Sequence, residues 1–217
     1  MYPVKRSDAP GFFPTIFIFN SIMQKISTQT FLYFAYGANM FSRRIQASNI
    51  APSAVAIDIG FVQGHRFAFG KVSRDGSGKC DIEATNNPNN RAYGVLYKIN
   101  VKDRESLNAA EGLGTGYSEA EVQVATATGT YTAATYVASY KEAVLRPYQW
   151  YKAFVIAGAL DHGLPAEYIE WLRTFEAQAD SNSDRRAERE ALLFGDLPLA
   201  RFNVDVDSTR ETLAKEA

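Results

Sequence analysis

Between Phe31 and Tyr140 the chain sets one short strand-forming segment after another, and helical text interrupts them only late. Strands are expected at Phe31–Tyr36, Ala54–Val62, His65–Gly70, Cys80–Ala84, Ala92–Ile99, Ser118–Thr126 and Thr130–Tyr140. Each is apolar or alternating, and each is bounded by Gly, Asn or Pro turns. Helices are expected at Val101–Glu111, Pro147–Leu160 and Pro165–Ala179. Strands that come early and adjacent, with helices inserted after the fourth or fifth and at the end, argue for an α+β fold built on a small, partly closed mixed sheet.

The first strand ends abruptly. Phe31-Leu32-Tyr33-Phe34-Ala35-Tyr36 is a run of strand formers, Gly37-Ala38-Asn39 is a turn, and Phe41-Ser42-Arg43-Arg44-Ile45 opens a helical turn or two. A strand that passes through glycine into a helix leaves backbone N–H groups unpaired and pointing one way, which suits an anion. The plain alternative is a tight connection with no ligand at all.

Net charge is −1, so no global field recruits nucleic acid or an anionic membrane surface. The single cysteine, Cys80, cannot close an internal disulfide, which suggests a reducing compartment such as the cytoplasm. Two histidines, His65 and His162, are too few for a histidine-rich metal cage, and both lie where structural roles are usual. If the protein is an enzyme that works without a metal or other cofactor, a carboxylate is the leading acid/base group.

Residues 1–30 carry Lys5 and Arg6 ahead of an apolar run from Phe12 to Met23, imitating a signal peptide. The run is interrupted by Pro14, Asn20 and Ser21, and no small-residue cleavage site precedes Phe31. A poorly ordered extension is the expectation, or a start at Met23. A single catalytic unit over 31–180 is expected next, then a charged C-terminal segment over 181–217. Within that segment Arg185-Arg186-Ala187-Glu188-Arg189-Glu190 reads as solvated surface, and Leu192, Leu193 and Phe194 are candidates to dock on the body.

Glu111 stands out among the carboxylates. It closes the helix from Val101 just before Gly112, where the helix dipole disfavours negative charge and raises the carboxyl pKa. The glycines at 112, 114 and 116 would let a ligand come close to the backbone. The competing reading is a solvated side chain at a helix end.

Taken together, these segments resemble the γ-glutamylcyclotransferases. Phe31 to Met40 is similar to that family's strand and Tyr-Gly-Ser-Asn-Leu loop, Ala92 to Ile99 to its glycine-containing strand, and Leu107 to Gly112 to its helix ending in Glu-Gly. Pro147 with Tyr151, followed by Gly163-Leu164-Pro165-Ala166-Glu167-Tyr168, is similar to its Pro-x-x-x-Tyr and Gly-Leu-Pro segments.

The resemblance implies a mixed β-barrel surrounded by helices, and cleavage of γ-glutamyl amides into 5-oxoproline and a free amine or amino acid without a cofactor. It puts the catalytic base on Glu111. Substrate contacts fall on Tyr33, Phe34, Ala35, Tyr36, Gly37, Ala38 and Asn39 and on Tyr151, with Tyr117 a less secure match. Ala38 replaces the family's Ser, and Tyr148 stands where Ser often follows the proline. The expected partner is a small γ-glutamyl substrate, with neither nucleic acid nor membrane, and a homodimer is the one assembly left open. Two other readings remain: a non-catalytic binder of small carboxylates on the same barrel, and removal of a γ-glutamyl protecting group in a biosynthetic pathway.

Overall fold

The computed structural model describes residues 29–194. Seven strands alternate with short helices: β1 (Thr30–Ala35), α1 (Ser42–Ile45), β2 (Val55–Gln63), β3 (His65–Val72), β4 (Gly78–Ala84), β5 (Arg91–Asn100), α2 (Arg104–Glu111), β6 (Tyr117–Thr126), β7 (Thr130–Ala138), α3 (Gln149–Asp161), α4 (Ala166–Arg173) and α5 (Ser183–Phe194). Five strands close a barrel in the order β1-β5-β2-β6-β7, and β3 with β4 forms a separate two-stranded ribbon. All ladders in the barrel are antiparallel except β1 with β7, which meet in parallel at Tyr33 and Ala134. The expected α+β fold with a mixed barrel is thus present.

The barrel closes where strand chemistry allows close approach. On β5, a side chain at Gly94 would run into the Ala35 carbonyl and come within 2.7 Å of the Phe34 ring, so only glycine fits between β1 and β5 there. Phe34, Val95, Leu96, Tyr97 and Ile99 are essentially removed from water. Full burial of one large apolar side chain contributes about 1.5–3 kcal/mol.

Helix α3 is apolar nearly all round, and accordingly its residues from Trp150 to Ala159 are buried apart from the half-buried Lys152. It starts at Gln149, two residues after Pro147. Helix α4 ends at Arg173, short of the expected Ala179. The Thr174 N–H and hydroxyl both bond to the Trp171 carbonyl, and the chain then turns extended so that Gln178 can exchange backbone bonds with Pro147 and Gln149. Phe175, beyond the helix, still packs on Phe67 and Phe69 of β3.

The alternating charges after Asn182 form helix α5. The Asn182 side chain accepts from the Arg185 N–H at 2.9 Å, an N-terminal cap. Arg185 grips the buried Asp180 at 2.6 and 2.5 Å, and Asp180 also accepts from the Trp150 indole at 2.9 Å. These bonds hold the Asp180 carboxyl down at about 2. Leu193 is buried. Helix α5 therefore straps the outer side of α3, with Arg185 and Arg189 turned in over the Tyr148 and Trp150 rings. The N-terminal apolar run and most of the C-terminal segment lie outside the described residues. Among the described residues no helix is long and apolar enough to cross a membrane.

Candidate active site

At the end of β1 the chain makes the expected turn. Gly37 leads into a short 3-10 turn, Ala38–Met40, closed by bonds from Met40 N–H to the Gly37 carbonyl (2.9 Å) and from Phe41 N–H to the Ala38 carbonyl (3.2 Å). Among the described residues, no acceptor pairs with the N–H groups of Gly37, Ala38 and Asn39, although Ala38 and Asn39 are buried. Buried backbone donors are almost always paired. Three unpaired ones in a row make a ready anion site.

The loop is pressed into place by α3. A methyl group at Gly158 would lie 2.5 Å from Phe41 N and 2.6 Å from Met40 C, so helix and loop touch backbone to backbone.

Glu111 approaches the same loop from α2. Gly112 takes the left-handed conformation at φ 66°, ending the helix as its sequence position suggested. One carboxylate oxygen accepts from the Asn39 side-chain amide at 2.7 Å and from the Tyr33 hydroxyl at 3.1 Å. The Glu111 pKa is raised, chiefly by burial, while Arg44, the Tyr33 hydroxyl, Lys71 and Asn39 oppose that rise. The direction matches the sequence argument, but the main cause is loss of water around the carboxylate. Burial also raises the Tyr33 hydroxyl, which stays protonated and serves as a neutral donor.

One cavity joins these groups. It is lined by Tyr33, Tyr36, Gly37, Ala38, Asn39 and Glu111 together with Arg44, Cys80, Tyr117, Tyr136 and Tyr151. Of the residues expected from sequence, Phe34 and Ala35 are not in this lining. Both are buried, and Phe34 lies against Gly94 in the barrel wall. Tyr148 packs outside the cavity, donating to the Asp75 carbonyl at 2.7 Å. The glycines at 112, 114 and 116 shape the turn into β6 without lining the cavity.

Tyr117 is brought into the lining, with its hydroxyl on the Cys80 carbonyl at 2.8 Å. Tyr151 accepts from the Cys80 N–H at 3.2 Å, so β4 holds two site tyrosines by one residue. Arg44, Tyr136 and Cys80 were not singled out by sequence. Arg44 sits in the helical turn right after the loop, five residues beyond Asn39, and the extended residue Phe41 between the two turns is what lets it reach back.

Neither histidine lines the cavity. His162 bonds Tyr97 (2.9 Å) and Ser42 (3.1 Å), tying the end of α3 to α1, and His65 contacts the Gln63 carbonyl. Cys80 is buried, and its thiol is pushed up to about 12 by that burial. Under native conditions at pH 8, it is expected to resist alkylation by iodoacetamide and to react only on denaturation. Rapid labelling of the folded protein would show that β4 opens readily.

A closed mixed barrel that holds a half-buried carboxylate against a glycine loop frames a cavity suited to a small molecule. The comparisons with known proteins agree. Residues 91–172 match the AIG2-like family. The γ-glutamylcyclotransferase of Homo sapiens is 34% identical over 154 residues, which cover 68% of this chain and 80% of the human protein. That of Mus musculus shows the same identity and coverage. A solved structure titled as a γ-glutamyl cyclotransferase superposes with a TM-score of 0.66 at 30% identity, over 75% of this chain and 99% of that one. The crystal structure of an uncharacterized Homo sapiens protein gives a TM-score of 0.65 at 31% identity, over 74% and 98%. The chain belongs to the γ-glutamylcyclotransferase family.

Proposed function

We propose that the protein is a γ-glutamyl cyclotransferase that converts γ-glutamyl amides into 5-oxoproline and a free amino acid or amine, with Glu111 as general base. The observation that carries this reading is one cavity lined both by a half-buried carboxylate of raised pKa and by a loop with three unpaired backbone N–H groups. An α-ammonium has a pKa of about 8 and is mostly protonated at neutral pH, so it cannot attack. Glu111 takes a proton from it, and the nitrogen attacks the γ-carbonyl carbon of the same molecule. The ring C–N bond forms, Glu111 passes its proton to the departing nitrogen as the amide C–N bond breaks, and the second proton on the ring nitrogen returns through Glu111 to the released amine, which departs as an ammonium.

Ring closure within one molecule removes the entropic cost of bringing two reactants together, so the site mainly has to fold the substrate. The N–H groups of Gly37, Ala38 and Asn39 stabilise the developing oxyanion or hold a substrate carboxylate. An oxyanion donor is worth about 3 kcal/mol. Because the donors are backbone groups, Ala38 in place of serine leaves this function intact. Tyr33, Tyr36 and Tyr151 wall the γ-glutamyl group, and Phe34 and Ala35 support them from the strand. No metal or cofactor enters any step.

We assign the catalytic unit to 31–180, with α5 bracing it. A cytoplasmic enzyme with a small-molecule partner fits the lone cysteine and the balanced charge. A binding protein that captured carboxylates would gain nothing from the negative charge of Glu111 in its cavity. Deprotection of a γ-glutamyl intermediate shares the chemistry and differs in leaving group.

The test is to incubate the full chain with γ-glutamyl dipeptides, γ-glutamyl amines and glutathione and assay 5-oxoproline. Release from at least one is expected. No release from any would favour the binding reading.

A further inference from the structure

Asn39 stands between Arg44 and Glu111. Arg44 Nε donates to the Asn39 side-chain oxygen at 3.0 Å, and the Asn39 amide nitrogen donates to Glu111 Oε1 at 2.7 Å. Asn39 is buried at the wall of the cavity, between two half-buried charged partners. An amide has one accepting and one donating end, and only one orientation serves both neighbours. If it were reversed, its NH2 would face the Arg44 N–H and its oxygen would face a carboxylate. Two repulsive pairs would replace two charge-assisted bonds. The arginine stem is itself seated, with the guanidinium 5.7 Å over the Phe154 ring of α3.

We propose that Arg44 is a positioning residue for the base: it fixes the orientation of the Asn39 amide, and through it the place of the Glu111 carboxylate. This rests on Glu111 being the base. Arg44 also supplies positive charge near a carboxylate that burial makes costly to ionise. The other titratable groups around Glu111 are Tyr33 from β1, Lys71 from β3, Cys80 from β4, Tyr117 from β6, and Tyr36 and Tyr136. Of these only Lys71 is cationic. It has no hydrogen-bond partner among the described residues and lies over the Tyr117 ring at 5.1 Å, so it contributes charge without orienting anything.

The test compares Arg44→Met, which keeps an unbranched side chain without the charge or the Nε–H donor, with Arg44→Lys, which keeps the charge but loses the Nε–H donor, and with Asn39→Ala. For Arg44→Met, kcat should fall about tenfold or more with KM nearly unchanged, and the acid limb of kcat/KM should move up by about one pH unit, as expected when an opposite charge near a carboxylate is lost. Arg44→Lys should recover part of the pH shift and little of kcat. The double variant Arg44→Met/Asn39→Ala should be no worse than Asn39→Ala alone, since both break one relay.

A raised KM with kcat and acid limb unchanged would overturn the proposal and make Arg44 a direct ligand of a substrate carboxylate. Additive losses in the double variant would overturn it as well. A readout independent of turnover is the carboxyl titration of Glu111, followed by NMR in glutamate-labelled protein and assigned with Glu111→Gln. An upward shift in both Arg44→Met and Asn39→Ala supports the relay, and an unshifted titration rejects it. A wild-type protein that released no 5-oxoproline would count against the enzyme reading, while this titration would still decide the role of Arg44.

Discussion

Replacing Glu111 with Gln is expected to lower kcat by about 10²–10⁴-fold, the usual contribution of a positioned general base, while substrate affinity stays close to wild type. The amide is nearly isosteric. Its oxygen can still accept from Asn39 and Tyr33, the two donors that now meet on one carboxylate oxygen. Stability should stay level or rise. A carboxyl whose folded-state pKa is raised favours folding below its unfolded value, and this contribution is lost as pH rises through the folded pKa. At neutral pH the ionised Glu111 is therefore a cost to the fold, and Gln removes it. Lost turnover with an equal or higher melting temperature separates a functional carboxylate from a structural one. Turnover at the wild-type rate would remove Glu111 from the mechanism.

The second large effect lies at Gly158, far from any reacting atom. Gly158→Ala puts a methyl 2.5–2.6 Å from backbone atoms of Met40 and Phe41, and backbone cannot swing aside as a side-chain tip can. Overpacking of this kind typically costs about 1–3 kcal/mol. For a chain of this size that corresponds to a fall in melting temperature of about 2–12 °C. Activity should fall further than stability alone explains, because the shifted segment follows directly on Gly37-Ala38-Asn39. Differential scanning calorimetry and 5-oxoproline assays on the same preparation would show it. A variant that matched wild type in both would mean that α3 does not hold the loop.

The local half of this site is legible in the sequence. The Phe31–Tyr36 strand, the Gly37 turn and the Glu111-Gly112 helix end are all written in consecutive residues, and local sterics fix each of them. Gly94 likewise announced a close approach, and the Ala35 carbonyl and the Phe34 ring are what approaches it.

Contacts between distant segments were less readable. Barrel closure depends on Tyr33 meeting Ala134 in parallel, a pairing across about a hundred residues that no local pattern encodes. Tyr136 enters the cavity because that closure brings β7 beside β1, and Cys80 because the separate β3–β4 ribbon docks on the barrel through the Tyr117 and Tyr151 hydroxyls. Phe34 and Ala35 were expected among the substrate contacts because the family resemblance places the whole segment from Tyr33 to Asn39 there. They fall outside the lining because the barrel wall needs them. The charge of Arg185–Glu190 read as solvated surface, but only part of it is: Arg185 turns in to the buried Asp180, and Arg185 and Arg189 lie over the Tyr148 and Trp150 rings. The anchor of helix α5, Asp180 with Trp150, joins residues thirty apart.

The central claim is that the substrate's own amine, and not water, attacks the γ-carbonyl. Turnover of a γ-glutamyl dipeptide in ¹⁸O-labelled water tests this most directly, with products analysed by mass spectrometry. The account predicts 5-oxoproline free of ¹⁸O, equimolar with the released amino acid and lost in Glu111→Gln. Glutamate carrying one ¹⁸O in its γ-carboxyl would contradict it, since that label enters only by hydrolysis.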